Sequence, residues 1–338
     1  MDNCKQGNKY WLLFLVILFI VCFLISFSVG KYAVSPINLI KILLSRLIDI
    51  PVTWPHEAET VVLQIRLPRV LAAALIGAAL AAAGICYQGL FQNPLVSPDV
   101  LGASAGAGFG AALGLFLSFS YFAVSLTAFI CGLAAVAVVC LISHKVRNNP
   151  TLGLVLSGIM IGSLFSSATS FIKLVADPNN VLPAITYWLM GSLASIRQKD
   201  LFFVSIPILI GIIPLLLLRW RMNVLTLGEE EARTIGINTR LLRLILIICA
   251  TLITAACVSV SGMIGWVGLV IPHFARMLVG CDYRISLPTS MFFGASFLMM
   301  VDNLSRLLHT SEIPLGILTA FVGAPFFVYL ILREGNKW

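Results

Sequence analysis

Gly102, Ser104 and Gly106 form a G-x-S-x-G run. In a hydrolase that spacing sets a serine nucleophile on a strand-to-helix elbow, next to a histidine and an acid that activate it. Neither a strand nor a His–acid pair accompanies it here. The run opens an apolar stretch that continues through Gly108, Gly110 and Gly114, and small residues so spaced let membrane helices approach closely. Helix packing is the preferred reading of Ser104. Asp302 lies in another apolar stretch and reads either as an ion-coupling carboxylate or, with Arg306 four residues on, as half of a local ion pair. The pair is preferred. His273, directly after Pro272 in a broken apolar segment, reads as a histidine satisfied at a kink rather than as a ligand. The eight cysteines never form C-x-x-C and the four histidines never form H-E-x-x-H, so no structural or catalytic metal site is expected. Most of the cysteines fall inside apolar stretches and read as small buried hydrophobes. With no G-x-x-x-x-G-K-[ST] run, the chain has no P-loop with which to bind ATP.

The elements that position these residues belong to a membrane. Of 338 residues, 59% are hydrophobic and 11% charged, and mean hydropathy is +1.02, more apolar surface than a soluble core can use. Apolar runs of roughly 20 residues, enough to cross a hydrocarbon layer of about 30 Å, fall near 11–30, 70–87, 101–120, 122–142, 152–172, 200–218, 241–260, 263–280, 287–307 and 313–332. The first is too long for a signal-peptide core and has no small-residue cleavage site, so it is read as retained. The expectation is a single all-α polytopic domain, 1–338, with ten spans and both termini on one side. Thirteen of the 22 lysines and arginines then fall on the side of the termini, which makes that side cytoplasmic. Segments 31–69 and 173–199 lie outside. The net charge of +8 thus has a membrane explanation, and nothing resembles a nucleic-acid surface.

Charge concentrates in one internal loop: residues 219–243 hold five arginines and three glutamates. Gly228 precedes a short predicted helix, Glu229 to Glu231 suit its positive end, and Gly236 stops it. Such a helix on the cytoplasmic face is built to dock a soluble partner. Two stretches, 93–110 and 262–280, put glycine and proline at membrane depth, where irregular backbone survives only beside protein or a water-filled cavity. In the fifth span Ser163, Ser166, Ser167 and Ser170 fall within a sector about 100° wide. That stripe reads either as ordinary interhelical hydrogen bonding or as the wall of a pathway.

Five blocks, RLPRVLAAALIGAALAAAGICYQGLFQNPLVSPDVLGASAGA (66–107), WLMGSLAS (188–195), TLGEEEARTIGIN (226–238), GMIGWVGLVIPHFARMLVG (262–280) and EIPLGILTAFVGAPFFVYLIL (312–332), resemble in order the permease subunits of bacterial ABC importers of the vitamin B12, haem and ferric-siderophore class. The resemblance implies the BtuC-like permease fold, a homodimer with the pathway at its two-fold interface, two cytoplasmic ATPase subunits and a periplasmic binding protein in a bacterial inner membrane. It also implies a transport subunit with no catalytic residues and no cofactor of its own, ATP and magnesium being held by the partner. Leu227, Gly228, Glu229, Glu230, Arg233 and Gly236 match the family's coupling helix. Arg66, Arg69 and Arg306 match outward-facing arginines that meet glutamates of the binding protein. The loop Asn148 to Leu152 matches the cytoplasmic gate region, with Asn149 and Thr151 as candidates, although NNPTL departs from the family's small hydroxyl residues. As a whole the chain resembles the molybdate and tungstate branch; a ferric siderophore, haem or cobalamin is the alternative cargo. An ion-coupled secondary transporter, which would need Asp302, and an intramembrane hydrolase, which would need Ser104, are the competing classes.

Overall fold

The computed structural model describes residues 2–30, 32, 34–45, 48, 51–146, 150–226 and 229–334, and among these the chain is helical with no strand. In order come α1 (Asp2–Ser28), α2 (Pro36–Leu44), α3 (His56–Thr60), a π-helical turn (Val61–Arg66) and α4 (Leu67–Leu90). A 3-10 turn (Pro98–Leu101) then leads into α5 (Ala103–Phe116), α6 (Tyr121–His144), α7 (Pro150–Val175), α8 (Val181–Leu189) and α9 (Gln198–Leu225). The chain closes with α10 (Glu229–Thr234), α11 (Thr239–Ser261), α12 (Val267–Val279), α13 (Tyr283–Leu307) and α14 (Leu315–Glu334).

Among the described residues six helices are long and apolar enough to cross a membrane, and four shorter apolar helices within α1, α5, α12 and α14 lie where the other four expected spans fall. Local chemistry sets their ends. The Ser120 hydroxyl caps α6 by accepting from the Ala123 amide, and the Asn238 side chain caps α11 at 3.1 Å from the Leu241 nitrogen. The second span begins earlier than its apolar run, because α3, the π turn and α4 form one continuous helix from His56 to Leu90. Helix therefore takes up the end of segment 31–69, which was expected to lie outside the spans. Helices α2 and α8 were likewise not legible as elements, both being nine residues long.

α4 is the centre of the bundle, with α13, α12, α11 and α9 packed around it. Its alanines and glycines permit that crowding. A Cβ on Gly77 would lie 2.3 Å from the Gly294 carbonyl oxygen of α13, and one on Gly84 would lie 1.9 Å from the Gly268 carbonyl oxygen of α12. Backbones that close exclude any larger residue and give dispersion contact without a hydrophobic drive, which lipid cannot supply. The Tyr87 hydroxyl, wholly buried, meets the Thr251 hydroxyl of α11 at 2.8 Å.

Candidate functional site

The two stretches that read as broken do break, and they meet. After α4 the chain turns back on itself, and Pro98 packs against Gly268, which in turn abuts the Leu80 carbonyl in the middle of α4. Gly102, at φ +77, ends the 3-10 turn in the left-handed region open to glycine, and packs against Gly158 and Gly162 of α7. α5 therefore starts inside the bundle rather than at its surface, which explains a span of 14 residues. On the other side, residues 262–265 run without helix between α11 and α12. Trp266 holds φ +70, a strained conformation for a side chain of that size, with Gly323 of α14 packed on its indole.

Between these breaks lies a cavity of about 950 Å³. Ser97, Asp99, Gly102, Ser104, Ala105 and Gly108 form one wall, Met263, Ile264 and Gly265 another, and α7 the third, from Gly158 to Lys173. All four serines of the predicted stripe, Ser163, Ser166, Ser167 and Ser170, face it, joined by Thr169. A second cavity of about 700 Å³ shares Leu189, Met263 and Gly265 with the first and is otherwise lined by Met190, Trp266 and α14 residues including Ile317 and Phe321. The Ser104 hydroxyl donates to the Asp99 carboxylate, and among the described residues no histidine lines either cavity. The G-x-S-x-G run is thus the first turn of a buried half-helix, as the packing reading required. Asp99 carried no signal as a single residue; its place at a proline-led turn before a glycine-rich half-helix was the clue available.

The two ends of the bundle carry charge differently. At one end Arg69 Nε lies 2.9 and 3.1 Å from the Asp302 carboxylate oxygens, Arg69 Nη1 lies 2.8 Å from Glu312 Oε1, and Arg306 Nε lies 3.2 Å from Asp302 Oδ2. Arg66 donates to the Phe27 carbonyl at 2.5 Å and to the Tyr32 carbonyl, while Arg306 donates to Asn303 and to the Val29 and Ser26 carbonyls. The expected i,i+4 pair of Asp302 with Arg306 is present, but its shorter partner is Arg69 on α4. The expectation of outward-facing arginines needs correction on placement. Arg66, Arg69 and Arg306 are 3%, 4% and 7% exposed, turned inward to satisfy α1, α13 and the segment before α14. Buried charges survive only when so paired, and the π turn, which widens the helix just before Arg69, lets Arg66 and Arg69 serve different neighbours.

At the opposite end α10 forms as predicted, and Gly236 follows it at φ +83 with open space around it. Leu227 and Gly228 lie outside the described residues, as do the side chains of Glu229, Glu230 and Arg233. Beside α10, Asn223 of α9 donates to Asp282 at 2.8 Å and accepts from the Tyr283 amide at 2.9 Å. Partial burial pushes the Asp282 carboxyl up, but hydrogen bonds from the Arg284 side chain and amide and from Asn223 outweigh it and hold the group below its usual range. Of the two gate candidates, Asn149 lies outside the described residues, and Thr151 sits in the first turn of α7, apart from the cavity lining. His273 packs edge-on to Phe326 of α14, as a histidine at the Pro272 kink.

The chain is 39% identical over 324 residues, 95% of its length and 96% of the relative's, to the molybdate import system permease protein MolB of Haemophilus influenzae. It is 40% identical over 278 residues, 82% of this chain and 74% of the relative, to the cobalamin import system permease protein BtuC of Halobacterium salinarum. Among solved structures, a metal-chelate type ABC transporter in an inward-facing conformation superposes with a TM-score of 0.85 at 38% identity, covering 95% of this chain and 98% of that one. The FecCD transport family model matches residues 18–333, so with a helical bundle broken at the depth of its cavity, this chain belongs to the FecCD transport family.

Proposed function

We propose that this ABC importer permease carries molybdate and tungstate, as one half of a homodimer with both termini in the cytoplasm of a bacterial inner membrane. The observation that carries the reading is the hydroxyl-lined cavity between two interrupted spans. Half-helices that begin at membrane depth turn their positive ends toward the site, and serine hydroxyls donate to oxyanions, so the lining suits the passage of a small anion without a metal. The likeness to the molybdate permease over nearly the whole chain supports the same cargo. Lysine and arginine placement supports the orientation, and the apolar faces of α7 and α14 beside the cavities, with Met160, Leu164 and Phe321 exposed, support closure by a second copy. α10 is the element offered to the ATPase. A periplasmic binding protein then holds the cargo tightly, and the permease switches access without a deep site of its own.

A metal chelate is the second reading, favoured by one observation: about 950 Å³ in a single subunit is far more room than a tetrahedral oxyanion fills. Uptake in proteoliposomes containing this chain, its ATPase and its binding protein separates the two. ATP-dependent accumulation of molybdate or tungstate, with none of a ferric siderophore, is the expected result; accumulation of the chelate alone overturns the cargo assignment and leaves the family standing.

A further inference from the structure

Asp99 is an ionisable side chain exposed to the main cavity at the depth where α5 begins. Acids at membrane depth are costly and are retained for a role. Its packing neighbours fix that depth: Pro98 rests against Gly268 beside the middle of α4, and Gly102 rests against the middle of α7. Among the described residues its side chain has the Ser104 hydroxyl as partner, which is neutral. Among the described residues the cation in the same lining is Lys173 of α7, eleven residues beyond Gly162 and therefore about 16 Å further along the helix. Serine hydroxyls fill the interval, one or two per turn. The lining thus runs from a cation at one mouth, through donors, to a carboxylate at the bottom.

That order matters for a doubly charged oxyanion. Without the carboxylate, the amide groups opening α5, the Ser104 hydroxyl and Ser163, the α7 serine next to Gly162, would offer an anion donors at this end of the lining. With it, a dianion about 5 Å away is disfavoured by roughly tenfold even under water-like screening. We propose that Asp99 is the release element of the pathway: its charge denies an oxyanion a resting place at the end of α5, so that cargo drawn in past Lys173 passes on instead of lodging. The inference rests on the oxyanion reading of the cargo.

Retention of tungstate by the permease in lipid nanodiscs, measured as metal co-eluting with protein after rapid gel filtration, tests it. Asp99→Asn, nearly isosteric, is expected to retain tungstate at least tenfold more tightly than the wild type, and to slow tungstate uptake in the reconstituted complex. Asp99→Glu keeps the charge and is expected to match the wild type. Asp99→Ser, a smaller neutral replacement, must reproduce the retention, which guards against a misfolded first variant. Equal retention by the wild type and both neutral variants overturns the proposal, as does tight retention by the wild type itself. The cargo reading fails separately: wild-type proteoliposomes would then import a chelate and no oxyanion, whatever the nanodiscs retain.

Discussion

Replacing Arg69 with alanine separates two meanings of an arginine at this end of the bundle. If its guanidinium faces outward to a binding protein, the variant folds normally and loses only stimulation by that partner. The structure gives Arg69 internal work. It holds Asp302, whose side chain is 1% exposed, by two hydrogen bonds of 2.9 and 3.1 Å, and it reaches Glu312 at 2.8 Å. After truncation Asp302 keeps Arg306 at 3.2 Å as its ion-pair partner, and a half-paired carboxylate remains inside the protein. Breaking a buried pair from one side costs about 3–5 kcal/mol, with Arg306 keeping the loss toward the lower figure. A thermal shift on the order of 5–10 °C follows, read as loss of the monodisperse peak in size-exclusion chromatography after heating. Replacing Arg69 with methionine and Asp302 with asparagine together removes both charges and still offers Arg306 an acceptor, so it should recover part of the loss. Full thermal stability of Arg69→Ala, with only binding-protein stimulation abolished, would refute the internal role and restore the docking one.

Gly84→Ala should prevent assembly, since its methyl, fixed in place by the helix backbone, would sit 1.9 Å from the Gly268 carbonyl oxygen, a backbone atom that cannot rotate away. Forcing α4 and α12 apart costs upwards of about 3 kcal/mol, to be seen as loss of folded protein in the membrane fraction, and a normally folded variant would contradict the crossing. Replacing Glu230 and Arg233 together with alanine should uncouple ATP hydrolysis from uptake while membrane insertion stays intact. Unchanged transport with unchanged ATPase stimulation in that double variant would remove α10 from the docking interface.

The ten spans were legible because a membrane imposes one constraint, length times apolarity, that a sequence states openly. The breaks at 93–110 and 262–280 were legible for the same reason, glycine and proline being out of place at that depth. The serine stripe could be drawn from the helical period, and it turned out to line the cavity. What could not be read was direction. A stripe of charges at a span end looks alike whether it faces water or its own bundle, and Arg66, Arg69 and Arg306 turned inward because Asp302, Asn303, Glu312 and the Ser26, Phe27, Val29 and Tyr32 carbonyls needed donors. Contacts across 233 residues, such as Arg69 with Asp302, leave no trace in local spacing. Asp99 escaped notice because its meaning depends on the re-entrant turn that carries it to mid-depth.

The distribution of rigid and soft parts bears on where the bundle can bend. At the Arg69 end, paired charges lock α1, α4, α13 and the start of α14 to one another, and the Leu315 and Gly316 amides donate to the Gly191 and Met190 carbonyls beyond α8. At the α10 end, Asn223 ties the last turn of α9 to the turn between α12 and α13, and Gln92 donates to the Leu225 carbonyl at 2.6 Å. Packed helices between two such ends move as bodies, not as springs. A displacement applied at α10 must therefore be absorbed where the ladder of backbone hydrogen bonds is already interrupted. Those places are the turn before α5 and the four residues before Trp266, and both line the cavity. The same breaks that open a polar space inside an apolar bundle are thus the places where it can bend most cheaply, and both border the cavity.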